Sequence, residues 1–181
     1  MQSQVFYDFD AFAESVHGID CLMMLRNPQR RVWSTSSVDL DTIHVQLGRL
    51  GSGNIAQGQL RPDGYMFYLP LTDGVEYTAN GCVLERNSFA FMEPGCEFCI
   101  STKVAHDWCA AFIPIQFFAR QEQSSRDRSS EPSGLLPVSE SVNCRVTRPN
   151  RQAADQFRAI TQQIVTTAAN CSHFEATQAA K

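Results

Sequence analysis

The segment IHVQLGRLGSGNIAQGQLRPDGYMFYLPL, residues 43–71, decides the fold, because glycine-bearing turns divide it into three short apolar segments. The turns are GSGN and RPDG, and residues of these types favour tight reversals of the backbone. Short segments joined in this way are typical of antiparallel hairpins. We therefore predict β-strands over 43–50, 54–60 and 64–71.

The same pattern continues along the chain as far as residue 115. The turns TDG, ANG and EPG divide this part into further short segments of β character. Eight strands at this spacing, with no helical pattern between them, predict an antiparallel barrel or sandwich. The additional strands are predicted over 75–79, 81–86, 88–92, 97–102 and 108–115.

Helical patterns flank the predicted barrel. Residues 8–17 carry apolar side chains at helical spacing, and Asp8 or Asp10 can serve as the N-cap, so we predict a short helix there. After Pro149, apolar residues recur at intervals of three and four, which indicates an amphipathic helix. Its apolar stripe needs a partner, either the chain's own barrel or a second subunit.

The polar, Ser-rich residues 121–134 separate the two regular parts and are predicted to form a loop or linker. Residues 135–149 return briefly to β character. The last residues, HFEATQAAK (173–181), resemble the beginning of another helix, so we expect a further domain beyond Lys181.

Composition narrows the classes of function. The net charge of −4 and the pI near 5.5 argue against broad nucleic-acid binding, which needs a basic surface. The sequence has no run of roughly 20 apolar residues and no secretory leader, so we predict a cytoplasmic protein that does not bind membranes. The seven cysteines are predicted to be reduced.

Known catalytic and metal-binding patterns are missing from the sequence. The four histidines are scattered, without a His-x-His pair, and the CEFC sequence (96–99) has no second cysteine pair to complete a zinc site. Alternation along a strand would also point Cys96 and Cys99 to opposite faces. We predict a protein that is not an enzyme and has no metal or catalytic cofactor.

Positive charge is concentrated in LRNPQRRVW (25–33), where Arg26 and Arg30 form an R-x-x-x-R pattern next to Arg31. Pro28 disfavours a helix and is predicted to extend Asn27. Guanidinium groups match phosphate oxygens and the O6/N7 edge of guanine, so the segment is a candidate anion site, with Trp33 as a stacking surface. A solvated basic loop is the alternative interpretation.

The order of elements resembles the N-terminal sensor domain of AraC-type transcription regulators, as do the stretches SVDLDTIHVQLGRLGSGNIAQGQL (37–60) and RNSFAFMEPGCEFCIS (86–101). The resemblance implies a cupin-like barrel that senses a small molecule, helices that form a homodimer, and a separate helix-turn-helix domain that binds promoter DNA. It divides the chain into a sensor domain (1–120), a connecting segment (121–148) and a helical dimerisation region (149–181).

The R-x-x-x-R pattern is also similar to the arginine motif that precedes the barrel of PilZ domains and binds cyclic di-GMP, and a subset of AraC-like regulators responds to this dinucleotide. The resemblance implies that Arg26, Arg30 and Arg31 bind it as an effector, together with Trp33. The second PilZ element is not reproduced. Its nearest counterpart, SGNIAQG (52–58), offers candidate contacts at Ser52, Asn54 and Gln57.

The predicted fold is therefore mainly β with some α: an antiparallel cupin-like or PilZ-like barrel followed by amphipathic dimerisation helices. The predicted function is binding of cyclic di-GMP by the sensor domain of an AraC-like regulator. Two alternatives remain open. One is another small metabolite inside the barrel, lined by the aromatic residues of 64–70 and 88–92, and the other is a cupin-type metalloenzyme.

Overall fold

The computed structural model describes residues 2–85, 88–117, 144–147, 152, 155–164 and 166–167. These residues form twelve β-strands and one complete helix, α1. In chain order the elements are β1 (Gln2–Phe6), α1 (Phe9–Glu14), β2 (Ile19–Arg26), β3 (Trp33–Leu40), β4 (Ile43–Leu50), β5 (Gly53–Leu60), β6 (Gly64–Pro70), β7 (Tyr77–Ala79), β8 (Cys82–Leu84), β9 (Phe89–Met92), β10 (Glu97–Thr102), β11 (His106–Pro114) and β12 (Cys144–Thr147).

The strands form two antiparallel sheets that enclose one main hydrophobic core. The larger sheet has the order β1-β3-β4-β11-β6-β9-β12, and the smaller has the order β2-β5-β10-β7-β8. Aromatic and aliphatic side chains from both sheets fill the space between them, among them Trp108, Met66 and Phe98. The predicted mainly β fold of antiparallel strands with some helix is confirmed.

All eight predicted strands are present with ends that differ by two residues or fewer. The structure adds β1, β2 and β3, which were not predicted. In β3, WSTSSVDL, only Trp33 and Thr35 are buried, so its composition is typical of a loop. Pairing of β3 with β4 along its full length makes it a strand.

Helix α1 forms where it was predicted. The Asp8 side chain accepts a hydrogen bond from the Ala11 N–H (2.9 Å) and caps the first turn. Phe12 is fully buried and Phe9 lies 5.3 Å from Trp33 between ring centroids. The helix therefore contributes aromatic side chains to the core and packs against β1, β2 and β3.

Residues 155–164 are helical and pack on the outer face of the larger sheet. Phe157 lies 6.2 Å from Phe67 between ring centroids and joins a small cluster around Val45 and Ala111. The Arg158 Nε–H donates to the carbonyl oxygen of Pro70 (3.2 Å). This part of the amphipathic stripe thus packs on the chain's own barrel.

Of the predicted dimerisation region (149–181), the structure describes residues 152, 155–164 and 166–167, and the Ser-rich segment (121–134) lies outside the described residues. Dimerisation through these helices stays a prediction. Among the helices that the structure describes, none combines the length and the apolar character needed to cross a membrane.

The aromatic side chains of β11 pack directly over glycines of the neighbouring strands. A Cβ atom built on Gly48 of β4 would lie 2.2 Å from the Trp108 ring, and one on Gly64 of β6 would lie 2.4 Å from the Phe112 ring. Each ring therefore occupies the space that any side chain at the glycine would need. The close approach holds β11 tightly between its two neighbours.

Gly48→Ala is therefore expected to destabilise the fold by about 1–3 kcal/mol, because the Trp108 ring must leave its place in the core. Urea unfolding measures the change. The matched control is the Gly48→Ala, Trp108→Phe double variant, in which the smaller ring relieves the clash. The double variant should therefore lose less stability than the sum of the losses in the two single variants. Strict additivity, or no loss of stability in Gly48→Ala, would contradict this assignment.

Candidate ligand-binding site

Residues 26–32, which comprise the last residue of β2 and the connection to β3, are called the arginine loop. Two of its backbone amides, those of Gln29 and Arg30, donate to the carbonyl oxygen of Gly51 (3.1 and 2.7 Å). The Gly51 N–H in turn donates to the carbonyl oxygen of Val32 (3.1 Å). The arginine loop is thus fixed to the two-residue turn between β4 and β5.

A second turn, between β10 and β11, holds the other side of the arginine loop. The Ala105 N–H donates to the Gln29 side-chain carbonyl oxygen (2.8 Å), and the Asn27 side-chain amide reaches the carbonyl oxygen of Lys103 (3.5 Å). Asn27 has φ +41°, so the prediction of an extended Asn27 is wrong. Asparagine tolerates this left-handed conformation, which lets the chain turn away from β2 before Pro28.

Buried polar side chains support the two turns from below. The Trp33 indole N–H donates to the Ser52 hydroxyl (3.0 Å), and the Thr102 hydroxyl donates to the side-chain oxygen Oδ1 of Asn54 (3.2 Å). His106 Nδ1 lies 3.1 Å from the Thr102 hydroxyl and 3.0 Å from the carbonyl oxygen of Val104. Because a carbonyl only accepts, this nitrogen carries the proton.

The guanidinium groups of the arginine loop have no partners in the part of the chain that the structure describes. Among the described residues, no acidic side chain pairs with Arg26, Arg30 or Arg31, and no hydrogen bond from their side chains is found. The neighbouring Lys103, by contrast, pairs with Glu76 (3.0 Å). The arginine loop therefore carries a local charge of +3 in a chain whose net charge is −4.

The β4–β5 turn brings the arginines together. Arg26 lies opposite Gly53 in the β2–β5 pairing, and the Arg30 amide is bonded to Gly51. Two residues of strand span about 7 Å, so both arginines flank the same short turn. Arg30 and Arg31 are exposed and Arg26 is half-buried.

The other candidate residues occupy different positions. Trp33, Ser52 and Asn54 are buried beneath the arginine loop, so a direct contact with a ligand would require the loop to open. Gln57 is exposed on β5, but it is four residues, or about 13 Å, from Gly53. The structure thus groups the three arginines with the turn backbone and places Gln57 apart from them.

Among the described residues, a small cavity of about 40 Å³ lies between the two sheets. Met23, Tyr68 and Trp108 line it, with Asn54 and His106 as polar groups at one side. Pockets for metabolites have volumes of about 300–1,000 Å³, whereas this cavity has room for roughly one water molecule. A ligand inside the barrel would have to displace core side chains.

Two of the scattered histidines meet in the structure, which the sequence spacing did not reveal. The rings of His17 and His44 lie 4.1 Å apart between centroids, in a surface pocket of about 440 Å³ that also includes Arg61. Burial and the neighbouring His44 and Arg61 lower the pKa of His17. The described residues contain no group of three or more metal-ligating side chains, here or elsewhere.

Cys96 and Cys99 of the CEFC sequence separate as expected. Cys96, just before β10, is buried in the core. Cys99, within β10, is half-buried on the opposite face of the sheet. Burial raises the pKa of the Cys96 thiol to about 11. The six cysteines in the described part of the chain are all free thiols.

Comparisons with known proteins give few likenesses. No family model matches the chain, and no curated protein sequence matches it. Two similar solved structures are the AraC-like transcriptional activator CuxR (11% identity, TM-score 0.48, 69% of this chain and 52% of that one) and the Schizosaccharomyces pombe Cnp3 cupin domain (10% identity, TM-score 0.37, 60% of this chain and 96% of that one). At these identities and TM-scores, neither likeness assigns a function.

Gly51→Ala is expected to displace the arginine loop, because a Cβ atom at this position would lie 2.4 Å from the backbone oxygen of Arg30. Loss of one amide hydrogen bond, worth about 1 kcal/mol, accelerates hydrogen exchange of the Arg30 amide about fivefold. Gly64→Ala is the control, since its Cβ would instead meet the Phe112 ring, away from the arginine loop. Equal acceleration of the Arg30 amide in both variants would contradict the assignment.

The buried His106 makes stability depend on pH. Burial lowers its pKa from the ordinary value of 6.5, so below that pH the unfolded chain binds a proton that the folded protein does not. The free energy of unfolding should therefore fall as the pH decreases below 6.5, by up to about 1.4 kcal/mol per pH unit for one proton.

Denaturant unfolding between pH 8 and pH 5 measures this dependence. His106→Asn, which keeps a donor near the Nδ1 position, should reduce the slope, and the additional change His17→Asn should reduce it further, because the pKa of His17 is lowered as well. An unchanged slope in His106→Asn would show that His106 does not titrate in this way.

Proposed function

We propose that this chain is the ligand-sensing and dimerising domain of an AraC-like transcription regulator, and that it binds cyclic di-GMP at the arginine loop. One observation supports the ligand most directly. Arg26, Arg30 and Arg31 have no ion-pair partner in the described part of the chain, and hydrogen bonds fix the backbone of their loop to the β4–β5 turn. Three unneutralised guanidinium groups that flank one turn suit a compact anionic ligand.

The chemistry of cyclic di-GMP matches these groups. The ligand carries two phosphates and two guanine bases, and a guanidinium fork can bind a phosphate or the O6/N7 edge of guanine with two parallel hydrogen bonds. The backbone of the arginine loop is already ordered by Gly51, which reduces the entropy lost on binding. Arg26 and Arg30 are assigned to the phosphates, with Arg31 beside them.

The ligand is proposed to lie outside the barrel, over the β4–β5 turn. Ser52, Asn54 and Trp33 then support the turn and the arginine loop rather than touch the ligand directly. The cavity of about 40 Å³ gives no support to the alternative of a metabolite inside the barrel. The absence of a metal-ligating group of three among the described residues leaves the metalloenzyme alternative without a supporting observation there.

Binding would order the arginine side chains and, through the β10–β11 turn, reach the buried His106 network. Promoter DNA would be bound by a separate helix-turn-helix domain, as the resemblance to AraC-type regulators implies. A cytoplasmic location and a homodimer belong to the same proposal.

Isothermal titration calorimetry with cyclic di-GMP tests the site. The Arg26→Ala, Arg30→Ala double variant should bind at least about 100-fold more weakly, because each lost charge-assisted contact is worth about 1.5–3 kcal/mol. Arg49→Ala is the control, since Arg49 is exposed on β4 and already pairs with Asp107 (3.3 Å). Cyclic di-AMP, which has the same charge but lacks guanine, tests recognition of the base.

Undiminished affinity in the double variant, or an equal loss in Arg49→Ala, would place any binding site elsewhere. No heat and no retention of cyclic di-GMP by the wild-type chain at 50–150 mM salt, where phosphate contacts are only partly screened, would refute the ligand assignment.

A further inference from the structure

Strand β2 is an exposed edge of the smaller sheet. It pairs with β5 on one side, and within the described residues no backbone group of any other strand bonds to its outer side. At eight residues it is far longer than β8, the three-residue strand at the opposite edge. Short strands, lysine and proline normally protect sheet edges, and β2, IDCLMMLR, has none of these features.

The solvent-facing side chains of β2 are unusually apolar for an edge. Leu22 is 68% exposed and Met24 is 42% exposed, while the adjacent Leu25 is 38% exposed. Asp20 and Arg26 share this outer face at the two ends of the strand, and neither has an ion-pair partner among the described residues. Apolar exposure between two unpaired opposite charges indicates a surface that is covered by another protein surface.

We propose that two copies of this chain associate by antiparallel pairing of β2 with β2, with Met23 on the two-fold axis. The pairing extends two five-stranded sheets into one continuous sheet across the dimer. A two-fold axis perpendicular to the sheet makes the contact self-complementary, so association stops at the dimer.

Charge complementarity selects the register. With Met23 on the axis, Asp20 of each copy lies opposite the partner's Arg26, and Leu22 lies opposite the partner's Met24. Opposite residues of antiparallel strands share a face and lie about 4.5–5.5 Å apart, so the dimer contains two ion pairs around two apolar pairs.

Other two-fold registers do not place Asp20 opposite the partner's Arg26. An axis at Leu22 places Asp20 opposite the partner's Met24, and an axis at Met24 places Leu22 opposite the partner's Arg26. Each leaves a charge against an apolar side chain. The order of residues in β2 is thus complementary to itself in one register.

The inner face of β2 is already used within the chain. Ile19, Cys21 and Met23 pack against the core with Phe12 of α1. The dimer therefore depends on the free backbone edge and on the outer-face side chains, and the folded barrel need not rearrange to form it. A contact limited to one strand per copy is smaller than the roughly 1,200 Å² of standard stable interfaces, so we expect a dimer that dissociates on dilution.

The helical segment 155–164 gives a contrast, because its Phe157 and Arg158 are already bonded or packed on the chain's own barrel. The inferred contact shares Arg26 with the proposed ligand site, whereas Asp20 belongs to the dimer contact alone. Asp20 is not part of the arginine loop, so substitutions at Asp20 change the dimer contact and leave all three arginines in place.

Sedimentation velocity of the full chain across a concentration series tests the proposal by charge reversal. Asp20→Arg places arginine opposite arginine twice, and the dissociation constant should rise at least about tenfold. The Asp20→Arg, Arg26→Asp double variant re-creates both ion pairs with reversed polarity and should restore the dimer. Circular dichroism verifies that each variant is folded.

A wild-type chain that is monomeric throughout, or a dimer that Asp20→Arg does not weaken, would overturn the proposal. A dimer that the double variant fails to restore would assign the contact to another surface. Open-ended oligomers would show that the edge pairs without two-fold closure, which also contradicts it. Cyclic di-GMP affinity of Asp20→Arg, measured separately, keeps failure of the ligand proposal distinct from failure of this one.

Disulfide trapping provides a second test of the register. In a Cys82→Ser, Cys171→Ser background, the Leu22→Cys, Met24→Cys double variant should form a covalent dimer on mild oxidation, because opposite positions satisfy disulfide geometry. Either single variant should remain uncross-linked, since each new thiol then faces an apolar side chain. Equal cross-linking of the single and double variants would exclude this register.

Discussion

Close contact between the aromatic side chains of β11 and the glycines of neighbouring segments is the constraint on which the rest of the structure depends. Trp108 fills the space over Gly48, and Phe112 fills the space over Gly64 and beside Gly18. The rings hold β4 and β6 against the strand between them and approach the beginning of β2. Trp108 also lines the cavity of about 40 Å³ between the sheets, so the described residues leave little space there for a metabolite.

The candidate ligand-binding groups lie at one end of the barrel rather than in its interior. There the carbonyl oxygen of Gly51 accepts both amides that order the arginine loop, and buried side chains beneath it satisfy one another. The guanidinium groups have no ion-pair partner among the described residues. A rigid backbone that presents unpaired cations is the arrangement expected of a recognition site rather than of a stabilising ion-pair network.

Local signals explain which parts of the fold could be predicted from sequence. Asn80 and Gly81 have φ +47° and +80°, as a tight hairpin requires. An Asn-Gly pair predicts such a turn directly from the sequence. The polar β3 and the edge strand β2 are strands because of partners distant in the chain, which no local pattern encodes. The arginine pattern was visible too, but its attachment to Gly51 and the burial of Trp33 depend on tertiary contacts.

The place of β11 in the larger sheet also governs how this barrel can form during synthesis. The strand spans His106–Pro114, yet it lies between β4 and β6, which precede it by more than thirty residues. A nascent chain that ends before residue 106 therefore leaves β4 and β6 without the strand that joins them, with their facing edges unpaired. The larger sheet closes only after β11 has left the ribosome, and until then the growing chain depends on hairpins that form locally.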